Sequence, residues 1–149
     1  MKKNTFSLCL CMLLSINAFS QILKPVTWSY AAKKTSPTEA TLYIKATIDK
    51  GWHIYSQNVG EGGPVKTAFT FPSNKTYAIV GKTIEPKPVK KFETTFKMDV
   101  SYFENSVIFQ QKVKFKGKTT VINGTVEFMV CDDKQCLPPE EVAFSIPVK

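Results

Sequence analysis

Cys131 and Cys136 are the residues of this chain whose type and spacing could support chemistry. They lie in the segment Cys131-Asp-Asp-Lys-Gln-Cys136-Leu-Pro-Pro-Glu-Glu141, after a strand-like run and before a Pro-Pro step. Two cysteines this close can form a structural disulfide, contribute to a metal site, or act as a redox couple through thiol–disulfide exchange. Each possibility implies a different function.

The two non-redox interpretations stay open on spacing alone, but each has a weakness. A disulfide that closes so short a loop stabilises the fold by roughly 2 kcal/mol, which is less than a disulfide between distant strands would contribute. Structural zinc takes four ligands, and the single histidine, His53, is far from the pair in sequence. Copper(I), bound by Cys131, Cys136 and either Met98 or Met129, is a further alternative because soft ligands suit that ion. Neither a cofactor nor a bound metal is predicted.

As a redox couple, the pair would act as a relay and not as a strong nucleophile. No helix is predicted that could lower a thiol pKa, and Asp132 and Asp133 oppose thiolate formation, which Lys134 partly offsets. Such a pair suits attack by a more reactive partner through a mixed disulfide. Pro138-Pro139 restricts the backbone after Cys136 and helps to present its sulfur at a strand edge.

The first twenty residues have the pattern of a secretory signal. Lys2 and Lys3 form a charged start, Phe6 to Ile16 is apolar, and Ala18 and Ser20 are small residues at the cleavage positions. We therefore expect residues 1–20 to be removed, leaving one soluble domain at residues 21–149, secreted across the inner membrane into the periplasm. In that oxidising compartment a disulfide can persist.

Removal of this segment would also take away Cys9 and Cys11, so that only the Cys131 and Cys136 pair remains. The formal net charge of +8 would fall by the two lysines of the segment. All basic side chains are lysines, spread along the chain, and the bidentate arginine that suits base and phosphate recognition is absent. The composition thus argues against nucleic-acid binding.

Alternating apolar and polar residues predict strands throughout the chain, and no window carries a helical stripe. In one run Phe109, Gln111, Val113 and Phe115 share a face. The predicted strands cover 26–30, 41–48, 66–71, 76–84, 98–103, 107–115, 119–130 and 142–148. Asn123-Gly124 is a turn signal that should interrupt the run at 119–130. Short strands at this spacing predict one all-β domain, an antiparallel β-sandwich.

Two segments resemble the N-terminal periplasmic domain of the thiol:disulfide interchange protein DsbD. Gly124-Thr-Val-Glu-Phe-Met-Val-Cys131, continuing to Cys136-Leu-Pro-Pro-Glu140, resembles the end of that domain. Gly51-Trp-His-Ile-Tyr-Ser-Gln57, followed by Gly63-Pro64, resembles its earlier glycine and aromatic-rich strand. The resemblance extends roughly from Val26 to Val148 and implies an immunoglobulin-like fold with a reversible disulfide.

The resemblance also implies roles for individual residues. Cys136 would make the mixed disulfide with a partner, and Cys131 would resolve it. An aromatic cap loop would fall around Phe92 to Phe96, with Phe96 as the capping ring, and His53 and Tyr55 match positions at which the family has tyrosines beside the cysteines.

The implied partners are all thiol redox proteins. The donor would be a membrane-embedded thiol domain or a thioredoxin-like protein, and the acceptor a periplasmic disulfide isomerase or a cytochrome c maturation factor. Because the sequence ends at Lys149, we expect a stand-alone module that meets its donor by diffusion, as a component of a protein-disulfide reductase system. The alternative is a non-catalytic binding or assembly module with a structural disulfide.

Overall fold

A computed structural model describes residues 23–149, which form eleven strands and no helix. The strands are β1 (Val26–Ser36), β2 (Glu39–Ile48), β3 (His53–Tyr55), β4 (Ala68–Thr70), β5 (Tyr77–Ile84), β6 (Val89–Glu93), β7 (Met98–Glu104), β8 (Ser106–Phe115), β9 (Thr120–Phe128), β10 (Val130–Cys131) and β11 (Glu140–Val148). The predicted signal segment lies outside the described residues, so its removal stays a prediction. None of the described residues forms a helix long and apolar enough to span a membrane.

The strands form three antiparallel sheets, all of which contribute to a main core. Their strand orders are β1-β2-β8-β5, β10-β3-β7-β6 and β11-β9-β4. Trp28 of β1 joins the first sheet to the third, since its ring lies 5.3 Å from that of Phe128 on β9. Phe103 of β7 joins the second sheet to the first, 5.9 Å from Phe109 of β8. The predicted all-β, immunoglobulin-like antiparallel sandwich is confirmed.

The predicted inner face of β8 is confirmed, including its polar member. Phe109, Val113 and Phe115 are buried, and so is Gln111 between them. A buried amide needs partners, and Gln111 Nε2 donates to the carbonyls of Val80 and Lys112 at 3.0 and 2.9 Å. The Val80 carbonyl lies where the β5–β8 register shifts, so Gln111 replaces ladder hydrogen bonds lost at this irregularity.

The predicted turn at Asn123-Gly124 is wrong, because β9 runs through both residues and pairs with β11 along its whole length. Gly124 lies opposite Phe144. A Cβ placed at Gly124 would lie 2.6 Å from Phe144 Cζ and 2.8 Å from the Thr70 carbonyl oxygen. Glycine here makes room for an aromatic ring and a neighbouring strand, which is a recognised role of strand glycines.

Candidate functional site

The two cysteines close a tight loop after β10. Their sulfurs are bonded, with Cα atoms 4.0 Å apart, and the residues form an isolated antiparallel bridge. Within the loop the Asp132 amide donates to the Gln135 carbonyl at 2.9 Å. The Asp132 side chain also organises the loop, because Oδ1 accepts the amides of Lys134 and Gln135, each at 2.7 Å. These two hydrogen bonds favour the carboxylate and lower the pKa of Asp132.

The two sulfurs differ in how far solvent can reach their residues. Cys131 ends β10 and is 2% exposed, whereas Cys136 is exposed. An incoming thiolate needs access to the sulfur that it attacks. The residue of Cys136 is therefore accessible to an incoming thiolate, whereas that of Cys131 is shielded.

Strand β3 brings His53 and Tyr55 to the cysteines. His53 is the direct cross-strand partner of Cys131, and Tyr55 pairs with Tyr102 on β7. Because side chains of paired residues lie on one face, Cys131, His53, Tyr55 and Tyr102 share the outer face of this sheet. His53 Nε2 lies 3.2 Å from the Tyr55 hydroxyl, and the His53 ring packs 5.1 Å from that of Tyr102.

Burial shifts the pKa values of these three side chains. It lowers the pKa of His53, because the imidazolium loses hydration, while Glu93 opposes this effect. Burial, and then Glu93, raise the pKa of Tyr55 to about 12. Burial and Glu104 likewise raise the pKa of Tyr102. At neutral pH all three are therefore uncharged.

The turn between β6 and β7 places Phe96 at the site. Tyr55, Phe96 and both cysteines line one cavity of about 240 Å³, together with Glu93, Thr94, Thr95 and residues 132–135. The Phe96 ring meets the Tyr55 ring edge-on, with centroids 6.4 Å apart. Lys97 closes the turn in the left-handed region, at φ 54°.

Phe92 lies elsewhere, although the resemblance had grouped it with Phe96. Successive side chains of a strand point to opposite faces, and the neighbouring Glu93 lines the cavity. Phe92 accordingly lies on the other face of β6, where it is 58% exposed and does not line the cavity.

A second small core supports the turn between β6 and β7 that carries Phe96. Sequence reasoning missed this core. Tyr55, Val100, Tyr102 and Cys131 form this cluster, and Val59, Met98 and Met129 pack against it. Met98 begins β7 directly after the turn, and a Cβ at Gly60 would lie 2.9 Å from Met98 Cε. Gly60 and Gly63 are thus required for the close approach of this loop to Met98, since a Cβ at Gly63 would lie 3.1 Å from Met98 Sδ.

Glu85 is another residue that sequence reasoning missed. Its carboxylate accepts the Gln57 amide at 2.9 Å, the Asn58 side-chain amide at 3.1 Å and the Ser56 hydroxyl. These hydrogen bonds fix the chain where it leaves β3, and so hold the strand that carries His53 and Tyr55. No spacing in the sequence indicates this pairing, since Glu85 is 28 positions from Gln57.

Two further observations describe the surroundings of the disulfide. Lys91 of β6 approaches Asp133 of the cysteine loop at 3.5 Å, an exposed ion pair of small energetic weight. Across residues 23–149 no group of three or more His, Cys, Asp or Glu side chains is arranged to hold a metal ion. Met98 and Met129 both belong to the packing around Cys131.

The fold and site define a class of domain: an immunoglobulin-like sandwich with a disulfide whose exposed cysteine lies beside an aromatic turn. A scan of protein families matches residues 20–147 to "Thiol:disulfide interchange protein DsbD, N-terminal". The chain belongs to this family, as its sequence predicted. A search of curated proteins finds no match.

Solved structures agree with the fold. The chain is similar to the reduced DsbD N-terminal domain of Neisseria meningitidis, at 14% identity and a TM-score of 0.57, over 80% of this chain and 82% of that one. It is also similar to the N-terminal periplasmic domain of ScsB from Proteus mirabilis, at 18% identity and a TM-score of 0.60, over 85% of this chain and 47% of that one.

A third similar structure is a complex between the DsbD and PilB N-terminal domains from Neisseria meningitidis. The match has 12% identity and a TM-score of 0.55, and covers 84% of this chain and 87% of that one.

Proposed function

We propose that this domain relays electrons between protein partners through reversible opening of the Cys131–Cys136 disulfide. The observation that carries the proposal is the unequal exposure of the two cysteines, one open to a partner and one buried. Membership of the DsbD N-terminal family supports thiol–disulfide exchange as the chemistry. The domain acts in the periplasm in this proposal, after removal of residues 1–20.

The proposed exchange has two steps. A partner thiolate attacks Cys136 Sγ, a mixed disulfide forms, and the bonding electron pair leaves with Cys131 Sγ. The second thiolate of the partner then attacks its own sulfur in the mixed disulfide and releases Cys136. The partner dithiol is oxidised to a disulfide while Cys131 and Cys136 become thiols, and the reverse sequence passes the electrons to an acceptor.

The proposed donor is a thioredoxin-like or membrane-embedded thiol protein. The proposed acceptors are a periplasmic disulfide isomerase and a cytochrome c maturation factor. One similar structure holds a DsbD N-terminal domain in complex with the N-terminal domain of PilB, which supports docking to another protein domain. In this proposal Phe96 shields the sulfurs until a partner arrives, and His53 and Tyr55 pack beside them.

Trapping the mixed disulfide tests the proposal. The probe is a thioredoxin-like protein whose resolving cysteine is replaced by serine, activated at its remaining cysteine. We expect Cys131→Ser, which keeps the exposed thiol, to form a stable mixed disulfide, and the matched Cys136→Ser variant to form far less. No adduct, or equal adducts from both variants, would favour the rival interpretation of a binding module with a structural disulfide.

A further inference from the structure

Tyr55 contributes a hydroxyl with spare hydrogen-bonding capacity to the cluster that contains Cys131. Tyr55 is fully buried and lines the cavity that contains both cysteines. A phenol can donate one hydrogen bond and also accept. Within residues 23–149 its one hydrogen-bond partner is His53 Nε2, at 3.2 Å. If Nε2 carries the proton, the hydroxyl accepts from His53 and its own hydrogen is free for a cavity atom.

His53 connects this hydroxyl to solvent. Its Nδ1 has no hydrogen-bond partner among the described residues, and it is not one of the fully buried atoms that lack a partner. Nδ1 therefore keeps contact with water, although the residue as a whole is 6% exposed. The imidazole thus has one nitrogen toward solvent and the other bonded to Tyr55.

The exchange reaction creates a need for a proton at a buried atom. When the disulfide opens at Cys136, Cys131 Sγ is left as a thiolate in a residue that is 2% exposed. A buried thiolate is unfavourable without a proton or a positive charge close by. Glu93, Asp132 and Asp133 line the same cavity and increase that cost, and Lys134, which lines it too, offsets them only in part.

We propose that His53 and Tyr55 form a proton relay between solvent and Cys131 Sγ. The proposal rests on the exchange function proposed above, with a thioredoxin-like dithiol as the reductant. As Cys131 Sγ leaves, the Tyr55 hydroxyl gives it a proton and takes the Nε2 proton of His53, while Nδ1 takes a proton from water. Cys131 becomes a neutral thiol, Tyr55 is unchanged, and His53 ends in its other neutral tautomer. Reoxidation runs the same transfers in reverse.

The charged and titratable neighbours of His53 are consistent with this role. Strand β3 contributes Tyr55, β6 contributes Glu93 and Lys91, β7 contributes Glu104 and Tyr102, and the cysteine loop contributes Asp132 and Asp133. Despite several carboxylates, burial lowers the pKa of His53. A neutral imidazole is the form that can pass a proton by changing tautomer, so the relay is available at neutral pH and lost in acid.

The test measures how fast dithiothreitol reduces the disulfide in single turnovers between mildly acidic and alkaline pH. His53→Gln keeps a side-chain N–H that can bond to Tyr55 but cannot change tautomer, and Tyr55→Phe removes the hydroxyl. We expect each variant to slow reduction on the order of 10²-fold. The double variant should be no slower than either single one, since both interrupt one pathway.

Tyr102→Phe is the matched control, because it removes a phenol hydroxyl beside the His53 ring that makes no hydrogen bond to it. Circular dichroism and thermal unfolding check that each variant is folded. A wild-type rate in His53→Gln would overturn the relay, as would independent, multiplicative losses in the double variant. If wild-type protein itself resists reduction, the proposed exchange function fails, which is a separate outcome from a failed relay.

Discussion

Asp132 sets the conformation of the loop between the two cysteines, a role that its residue type alone did not indicate. From the sequence Asp132 was expected to oppose thiolate formation by its charge. In the structure its carboxylate accepts two backbone amides of the loop, both at 2.7 Å. This is an Asx-type turn, which aspartate favours because its short side chain reaches the backbone two residues ahead.

The pKa of Asp132 predicts how pH affects this loop. Because the two amide hydrogen bonds lower the pKa in the folded state, the carboxylate stabilises the fold above its unfolded pKa, and this contribution is lost as pH falls through the folded pKa. We expect Asp132→Ala to lower the free energy of unfolding at neutral pH and to differ less from wild type in acid. Urea unfolding at both pH values measures the difference. A gap that stays constant with pH would contradict the role of the carboxylate.

At the scale of elements, the β6–β7 hairpin presents two phenylalanines in opposite directions. Phe96 lines the disulfide cavity from the turn, and Phe92 is exposed on the far face of β6. The resemblance grouped both residues in one cap. Strand alternation, which fixes the direction of Phe92, could not be applied because β6 was not predicted as a strand.

Because Phe96 lines the disulfide cavity and Phe92 does not, alanine substitutions at the two positions form a matched comparison. We expect Phe96→Ala to speed reduction of the disulfide by a small thiol severalfold, because removal of the ring opens one wall of the cavity. Phe92→Ala removes the same side chain from the same hairpin and should leave the rate unchanged. Thiol labelling after timed quenching measures both rates. Equal acceleration by the two substitutions would show that the hairpin acts through its stability and not through the Phe96 ring.

At the scale of the whole molecule, Gly124 holds the third sheet together by leaving space for the Phe144 ring. We expect Gly124→Ala to lower the free energy of unfolding by about 1–3 kcal/mol, the usual cost of overpacking. Asn123→Ala, at the neighbouring exposed position, is the control and should cost less. Denaturant unfolding gives both values. If both substitutions are tolerated equally, the close approach at Gly124 is not a constraint on the fold.

Gly124 also shows where sequence reasoning succeeded and failed. Period-two alternation predicted strand regions such as those of β2 and β8, because each of these strands has one buried face. Asn-Gly is a strong local turn signal, but pairing with β11 and the Phe144 ring override it here. The short strand β3 and the exposed strand β6 carry little alternation, and their positions depend on contacts with β7.

The site was predictable only as far as local sequence specifies it. The cysteine pair and its flanking prolines stand together in the chain and identify the family. The burial of Cys131, the His53–Tyr55 hydrogen bond and the support from Glu85 and Met98 depend on strand pairing and on loops distant in sequence. Those contacts become visible only in the folded molecule.

The reduction potential of the Cys131–Cys136 disulfide tests the central claim most directly. Equilibration of the purified domain with thioredoxin-like proteins and glutathione buffers gives this value. A relay that exchanges with thioredoxin-like partners should have a potential near theirs, between about −180 and −270 mV. A potential below about −300 mV is typical of structural disulfides that resist the glutathione pool. It would contradict the relay and favour a binding module in which the disulfide is structural.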